Sequence, residues 1–151
     1  MPTLFSKSCT YAIQATLFLS ARKPACRVLL RDISRSLNIP QPFLSKVLQK
    51  LVHDGILSSY RGTTGGFGLA RPAREISLQD IMSCIDGRSW QTDCLLGFKP
   101  CSSGEPCILH SGHATLKETV DAILLKHSVA SIAKTAAHSY RNQKDLIRGS
   151  S

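Results

Sequence analysis

The chain has no apolar run long enough to span a membrane, no Cys-x-x-Cys pair and no glycine-rich loop with nucleotide-binding spacing. The first absence argues against a helical membrane protein. The other two remove the usual marks of thiol oxidoreductases and nucleotide-dependent enzymes. No nucleophile–base pairing accompanies the cysteines either, so no enzymatic activity is expected. Negative charge is also scarce, with 10 Asp and Glu against 19 Lys and Arg. Polar residues interrupt the apolar stretch of the opening MPTLFSKSCTYAIQATLFLSARK, whose apolar positions recur at helical rather than signal-peptide spacing, so the expected compartment is the cytoplasm.

What is present is a globular composition: 151 residues, 42% of them apolar, enough for one domain with an appended element. The formal charge of +9 is uneven. Residues 1–75 hold 11 Lys/Arg and 3 Asp/Glu, while residues 76–151 hold 8 and 7. A basic first half beside a nearly neutral second half suits a phosphate-facing domain joined to a module with another task, though solubility alone could select such a surface.

Apolar periodicity predicts helices over about Ser6–Ala21, Leu29–Leu37 and Gln41–His53. Asn38-Ile39-Pro40 separates the last two, and Pro42 suits a first helical turn. Two helices joined by a tight turn fit a helix-turn-helix, and equally any small helical hairpin. The next residues favour the former. Ile56–Arg61 and Phe67–Arg71 read as strands around the turn Gly62–Gly66, a hairpin of the winged type with Arg61 and Arg71 beside it.

Ile76–Ile85 reads as a helix with Ser77 as N-cap and Asp80 in its first turn. From Arg88 to Gly112 no period is visible, and a loop this long needs a function or a staple. A helical pattern then returns, with Thr115-x-x-Glu118 resembling a capping box, or with an earlier start near His110. The expected class is mainly α with a small β-wing. A winged helix-turn-helix domain (1–87) precedes a cysteine-rich loop (88–112), a long dimerisation helix (113–140) and a flexible tail (141–151). The apolar stripe of that helix exceeds what a small winged domain can cover, so a homodimer is expected.

Six cysteines without an export signal point to metal or redox chemistry rather than to a disulfide framework. Cys9 and Cys84 fall in amphipathic patterns and read as small core residues, while Cys26 carries no assigned role. Cys94, Cys101 and Cys107, spaced C-x6-C-x5-C and followed by His110, form a soft-ligand set in the irregular loop, with His113 a competing imidazole. Thiolates and imidazole suit zinc or an iron–sulfur cluster. The spacing is wider than in zinc knuckles, which favours the larger object. Three reduced loop cysteines without metal remain the bland alternative.

These residues together resemble the Rrf-two family of winged-helix regulators. The similarity is carried by SKSCTYAIQA, PFLSKVLQKLVHDGIL, the wing SYRGTTGGFGLAR, ISLQDIMSCIDG and the three-cysteine loop, and it reaches about residue 135. It implies a homodimer held by the C-terminal helix, with cluster state controlling affinity for a pseudo-palindromic double-stranded DNA operator. By position it makes Cys94, Cys101 and Cys107 cluster ligands. The Cys-x-x-His ending at His110 matches the [2Fe–2S] members, which favours [2Fe–2S] over [4Fe–4S]. In the [4Fe–4S] members a partner subunit's Asp completes the set, and Thr10 stands at that position here. The first cysteine interval is also one residue longer than in the [2Fe–2S] members, so both types stay open. Gln41, Pro42, Phe43, Ser45 and Lys46 would then enter the major groove, with Ser45 and Lys46 reading base edges. Lys50, Arg31 and Arg35 would touch phosphate, and Arg61 with Gly65-Gly66 would approach the minor groove. A cofactor-free, zinc or thiol-based regulator of the same fold is the nearest alternative, and a thiol redox protein a more distant one.

Overall fold

The computed structural model of the chain describes residues 5–87 and 107–135. Helix α1 (Lys7–Ser20) begins where the Ser6 hydroxyl accepts the Cys9 backbone N–H at 3.0 Å, satisfying one amide that a helix leaves unpaired at its start. Ser6 is held in turn by Asp86, whose carboxylate accepts its backbone N–H at 2.9 Å and also its hydroxyl.

Helices α2 (Leu30–Leu37) and α3 (Gln41–His53) are joined by the expected tight turn. Asn38 takes the left-handed conformation there (φ 55°), which a short polar side chain tolerates. The Ser34 hydroxyl donates to the Ile39 carbonyl at 2.6 Å and pins the turn, while Ile39 itself is buried. Strands β1 (Leu57–Tyr60) and β2 (Gly66–Leu69) pair antiparallel, with Leu57 opposite Leu69 and Tyr60 opposite Gly66. Val28 adds a one-residue third strand by exchanging backbone bonds of 3.0 and 2.8 Å with Phe67.

A short 3-10 turn (Ala73–Glu75) leads to α4 (Leu78–Ile85), whose Ser77 and Asp80 form a reciprocal capping box. Helix α5 runs over His110–Lys126. Of the two starts that the sequence allows, the earlier one at His110 is observed, and the Thr115–Glu118 capping box is not: Thr115 lies inside α5, and its hydroxyl donates to the Ser111 carbonyl at 3.3 Å.

The single helix expected over 113–140 is also interrupted. After Lys126 the chain is extended, Leu78 N–H donates to the His127 carbonyl at 3.2 Å, and Val129 N–H donates to the Ile76 carbonyl at 2.8 Å. Helical bonds are exchanged for this bridge, which buries Val129 completely in the main core before helix resumes over 129–135. Residues 136–140, the tail 141–151, Cys94 and Cys101 lie outside the described residues.

That core draws Ala12, Ala15 and Leu19 from α1, Ile33 from α2, Leu44, Leu48 and Leu51 from α3, and Ile81 from α4. A second cluster of Cys9, Met82 and Leu124 ties α1, α4 and α5 together, with Val120 packed against it. Among the described residues no helix is long and apolar enough to cross a membrane.

Candidate nucleic-acid interface and cysteine loop

Helix α3 buries Leu44, Val47, Leu48 and Leu51, which leaves Gln41, Pro42, Phe43, Lys46 and Lys50 on its exposed side. Ser45 is half-buried, and its hydroxyl accepts from the Gln49 amide at 3.4 Å. Phe43 is 65% exposed, an unusual position for an aromatic ring in the first turn of a helix that otherwise partitions its apolar residues inward. Arg31 and Arg35 are exposed on α2, and Arg31 lies 3.7 Å from Asp32. Among the described residues Arg35, Lys46, Lys50 and Arg61 form no ion pair, so these positive charges face solvent. The sequence-predicted groups on α2 and α3 thus share the basic first half of the chain.

At the wing, Arg61, Gly62, Thr63 and Thr64 are exposed, whereas Gly65 and Gly66 are buried. Gly65 and Gly66, expected to approach a partner, pack against the protein's own backbone. A Cβ on Gly65 would lie 2.3 Å from the Tyr60 carbonyl oxygen, and one on Gly66 would lie 2.6 Å from that of Val28. Gly66 also has φ +136°. The glycines let the protein's own backbone close the turn, and the tip residues are what it presents.

Arg27, missed in the sequence reading, is stacked over the Tyr60 ring with its guanidinium carbon 3.7 Å from the centroid. Arg22 similarly covers Phe18 at 4.5 Å. The available signal was three cations within six residues, Arg22, Lys23 and Arg27.

Cys107 is half-buried just ahead of α5, and the His110 N–H donates to its carbonyl at 2.9 Å, so these two residues close the turn that leads into that helix. One turn on, His113 is 7% exposed. Burial first, then the nearby Lys117 and His110, hold its imidazole below the usual histidine range. Among the described residues no three His, Cys, Asp or Glu side chains converge on a metal position.

Cys9 and Cys84 occupy the α1–α4 side. Burial pushes the Cys9 thiol up to about 12, assisted by the charge and hydrogen bond of Asp86 and by Cys84. Cys84 is likewise pushed up to about 12, by burial, then by its hydrogen bond to Asp54 and the charge there, with Lys50 pulling the other way. Asp54 is held below the usual carboxylate range by hydrogen bonds from His53 and Cys84.

A helix-turn-helix with a basic exposed face, followed by a glycine-closed hairpin, defines a winged-helix DNA-binding protein. The chain belongs to the Rrf2 family of iron-dependent transcriptional regulators, whose profile matches residues 5–135. It is therefore a transcriptional regulator and not an enzyme. A relative from Mycobacterium tuberculosis, provisionally named a helix-turn-helix transcriptional regulator, is 32% identical over 97% of this chain and 96% of its own. The regulator IscR of Xenorhabdus nematophila is 30% identical over 82% of this chain and 75% of its own. Among solved structures, the cysteine regulator CymR of B. subtilis superposes with TM-score 0.74 at 19% identity, covering 89% of this chain and 98% of that one. IscR of T. potens does so with TM-score 0.73 at 24% identity, covering 90% of each chain. At those identities the two structures speak to the fold alone.

Proposed function

We propose that this protein is a homodimeric, sequence-specific repressor, acting in the cytoplasm, whose occupancy of DNA is governed by an iron–sulfur cluster. Cys94, Cys101, Cys107 and His110 would hold it. The carrying observation is the position of Cys107 and His110 in the turn that leads into α5. That helix packs Val120 and Leu124 against the α1–α4 side and leaves Leu109, Leu116 and Ile123 exposed at seven-residue intervals. Order in the cysteine loop therefore acts on the element best suited to meet a second copy, since a seven-residue apolar stripe fits a partner helix.

The donor chemistry fits the group. Thiolates and imidazole are soft or borderline ligands, and free backbone amides at the start of a helix favour nearby negative charge. When bound, the cluster would supply sensitivity to iron supply, nitric oxide or redox state. Thr10 offers no carboxylate, and its hydroxyl donates to the Ser6 carbonyl at 3.1 Å, which favours a [2Fe–2S] set completed by His110 over a [4Fe–4S] set completed from α1.

On the DNA side, Ser45 and Lys46 would read base edges beside Gln41, Pro42 and Phe43. Lys50, Arg31 and Arg35 would neutralise phosphates, and Arg61 with Thr63 and Thr64 would enter the minor groove. A two-fold dimer places two such units on half-sites about one helical turn apart. A coupling of roughly 1–3 kcal/mol between loop order and dimer geometry suffices for a change of about 5–150-fold in DNA affinity.

The test is anaerobic purification with a visible spectrum and iron and sulfide analysis, followed by operator binding with and without the cluster. Near-stoichiometric iron and sulfide with a difference in affinity is expected. A protein that stays iron-free after anaerobic reconstitution would overturn the cluster reading and leave the DNA-binding assignment standing.

A further inference from the structure

The loop between α1 and α2 and the solvent face of the wing enclose a second basic feature, separate from α3. Because Val28 pairs with Phe67, Arg27 lies opposite Gly68, and Gly68 lies opposite Ser58. Alternation along the strands puts Arg27, Gly68 and Gly66 on one face with Tyr60. Neither glycine has a side chain to obstruct that face, so the Arg27 guanidinium reaches across β2 and lies over the Tyr60 ring, its carbon 3.7 Å from the centroid. Tyr60 pairs with Gly66 and directly precedes the exposed tip that starts at Arg61. Arg27 is thereby carried up beside that tip.

Below it is a cleft of about 100 Å³ lined by Arg22, Lys23 and Arg27, together with Tyr60 and the surrounding loop. Among the described residues no carboxylate lines it. Among the described residues none of the three cations forms an ion pair. Two of the three are held by aromatic rings, Arg22 on Phe18 and Arg27 on Tyr60. Stacking limits the freedom of a guanidinium while leaving its edge donors open, which is the form in which arginine grips a phosphate. An unneutralised trio of this kind fits an anion.

We propose that this cleft is a phosphate-binding site for the DNA backbone on the wing side of each half-site, with Arg27 as its principal contact. The inference rests on the winged-helix docking proposed above and deepens it. The site adds affinity without reading sequence and lengthens the stretch of duplex that each subunit grips. Tyr60 serves as the positioning residue for Arg27.

The experiment measures affinity for a selected operator duplex across a salt series. It compares the wild-type protein with Arg27→Ala, Arg27→Lys, Tyr60→Leu, the Arg22→Ala/Lys23→Ala pair and Lys46→Ala. Each lost phosphate contact lowers the slope of log affinity against log salt by about 0.9, which at 0.1 M salt corresponds to roughly eightfold in affinity. Arg27→Ala is expected to show that drop per subunit with unchanged preference among operator variants. Arg27→Lys and Tyr60→Leu are expected to keep most of the slope and lose part of the affinity. Replacing the wing-side flanking phosphates with neutral methylphosphonates should weaken wild type and leave Arg27→Ala unaffected. An unchanged slope in both Arg27→Ala and the double variant, beside a Lys46→Ala that loses operator discrimination, overturns this site alone. If Lys46→Ala also binds and discriminates as wild type does, the docking of α3 fails with it. Loss of free inorganic pyrophosphate binding by Arg27→Ala, with DNA affinity unchanged, would assign the cleft to a small anion and overturn the DNA partner.

Discussion

Among the thiols, environment rather than number decides reactivity. Cys9 and Cys84 are both pushed up to about 12 from an ordinary 9.0, so at neutral pH they hold their protons and are poor nucleophiles. Alkylation at pH 8 is expected to modify exposed Cys26 quickly and these two only on unfolding, which peptide mapping after timed quenching would show. Their titration also links to stability. Between pH 9 and 12 the unfolded chain releases protons that the folded chain retains, so stability falls with rising pH through that window. Denaturant midpoints should decline across it, and less steeply in Cys84→Ser. Phe43 is the other residue whose place asks for a partner. The only apolar group on a base edge in the major groove is the thymine methyl. Phe43→Ala should leave thermal stability close to wild type while weakening operator binding. Replacing thymine with uracil in the half-site should weaken wild type but add nothing to the loss in the variant. Additive losses would sink the pairing.

Among the elements, the wing is shaped by two positions where any side chain collides with backbone. Gly66→Ala would place a Cβ against the Val28 carbonyl at φ +136°, a conformation that alanine disfavours by about 1–3 kcal/mol. Its expected outcome is a displaced tip and loss of the wing's share of DNA affinity, with α2 and α3 intact. Amide exchange faster in 57–69 than in 30–53 would show this. The glycine-rich turn was legible in the sequence, because RGTTGGFG between two apolar runs has few other readings. What was not legible is which glycines face outward. That depends on Val28, a residue 38 positions before Gly66 that bridges to the neighbouring Phe67. The start of α5 shows the same limit. Thr115 and Glu118 have the spacing of a capping box, yet α5 already begins at His110, so a local signal lost to the surrounding packing.

At the scale of the whole molecule, the exposed row of Leu109, Leu116 and Ile123 runs beside the face that α5 packs against α4. An interrupted apolar surface of this width is expected to close against its copy. Ile123→Glu should halve the mass measured by sedimentation and abolish high-affinity binding to a two-half-site operator, while binding to a single half-site persists weakly. A variant that remains dimeric would move the interface elsewhere. The segment after α5 contributes to stability, since Val129 is wholly buried between elements far apart in sequence. Truncation before residue 128 should therefore lower the melting temperature of the DNA-binding domain itself.

By itself the sequence determined the helix-turn-helix, the wing and the basic half, because each is written in local periodicity, turn chemistry or composition over short spans. Only the tertiary structure decided that Gly65 and Gly66 serve the protein's own backbone and that Arg27 lies on Tyr60. Those outcomes depend on burial and on pairings between residues far apart in the chain, which no local pattern encodes. The same holds for the break after Lys126, where a bridge to Ile76 and the burial of one valine outweigh continued helix.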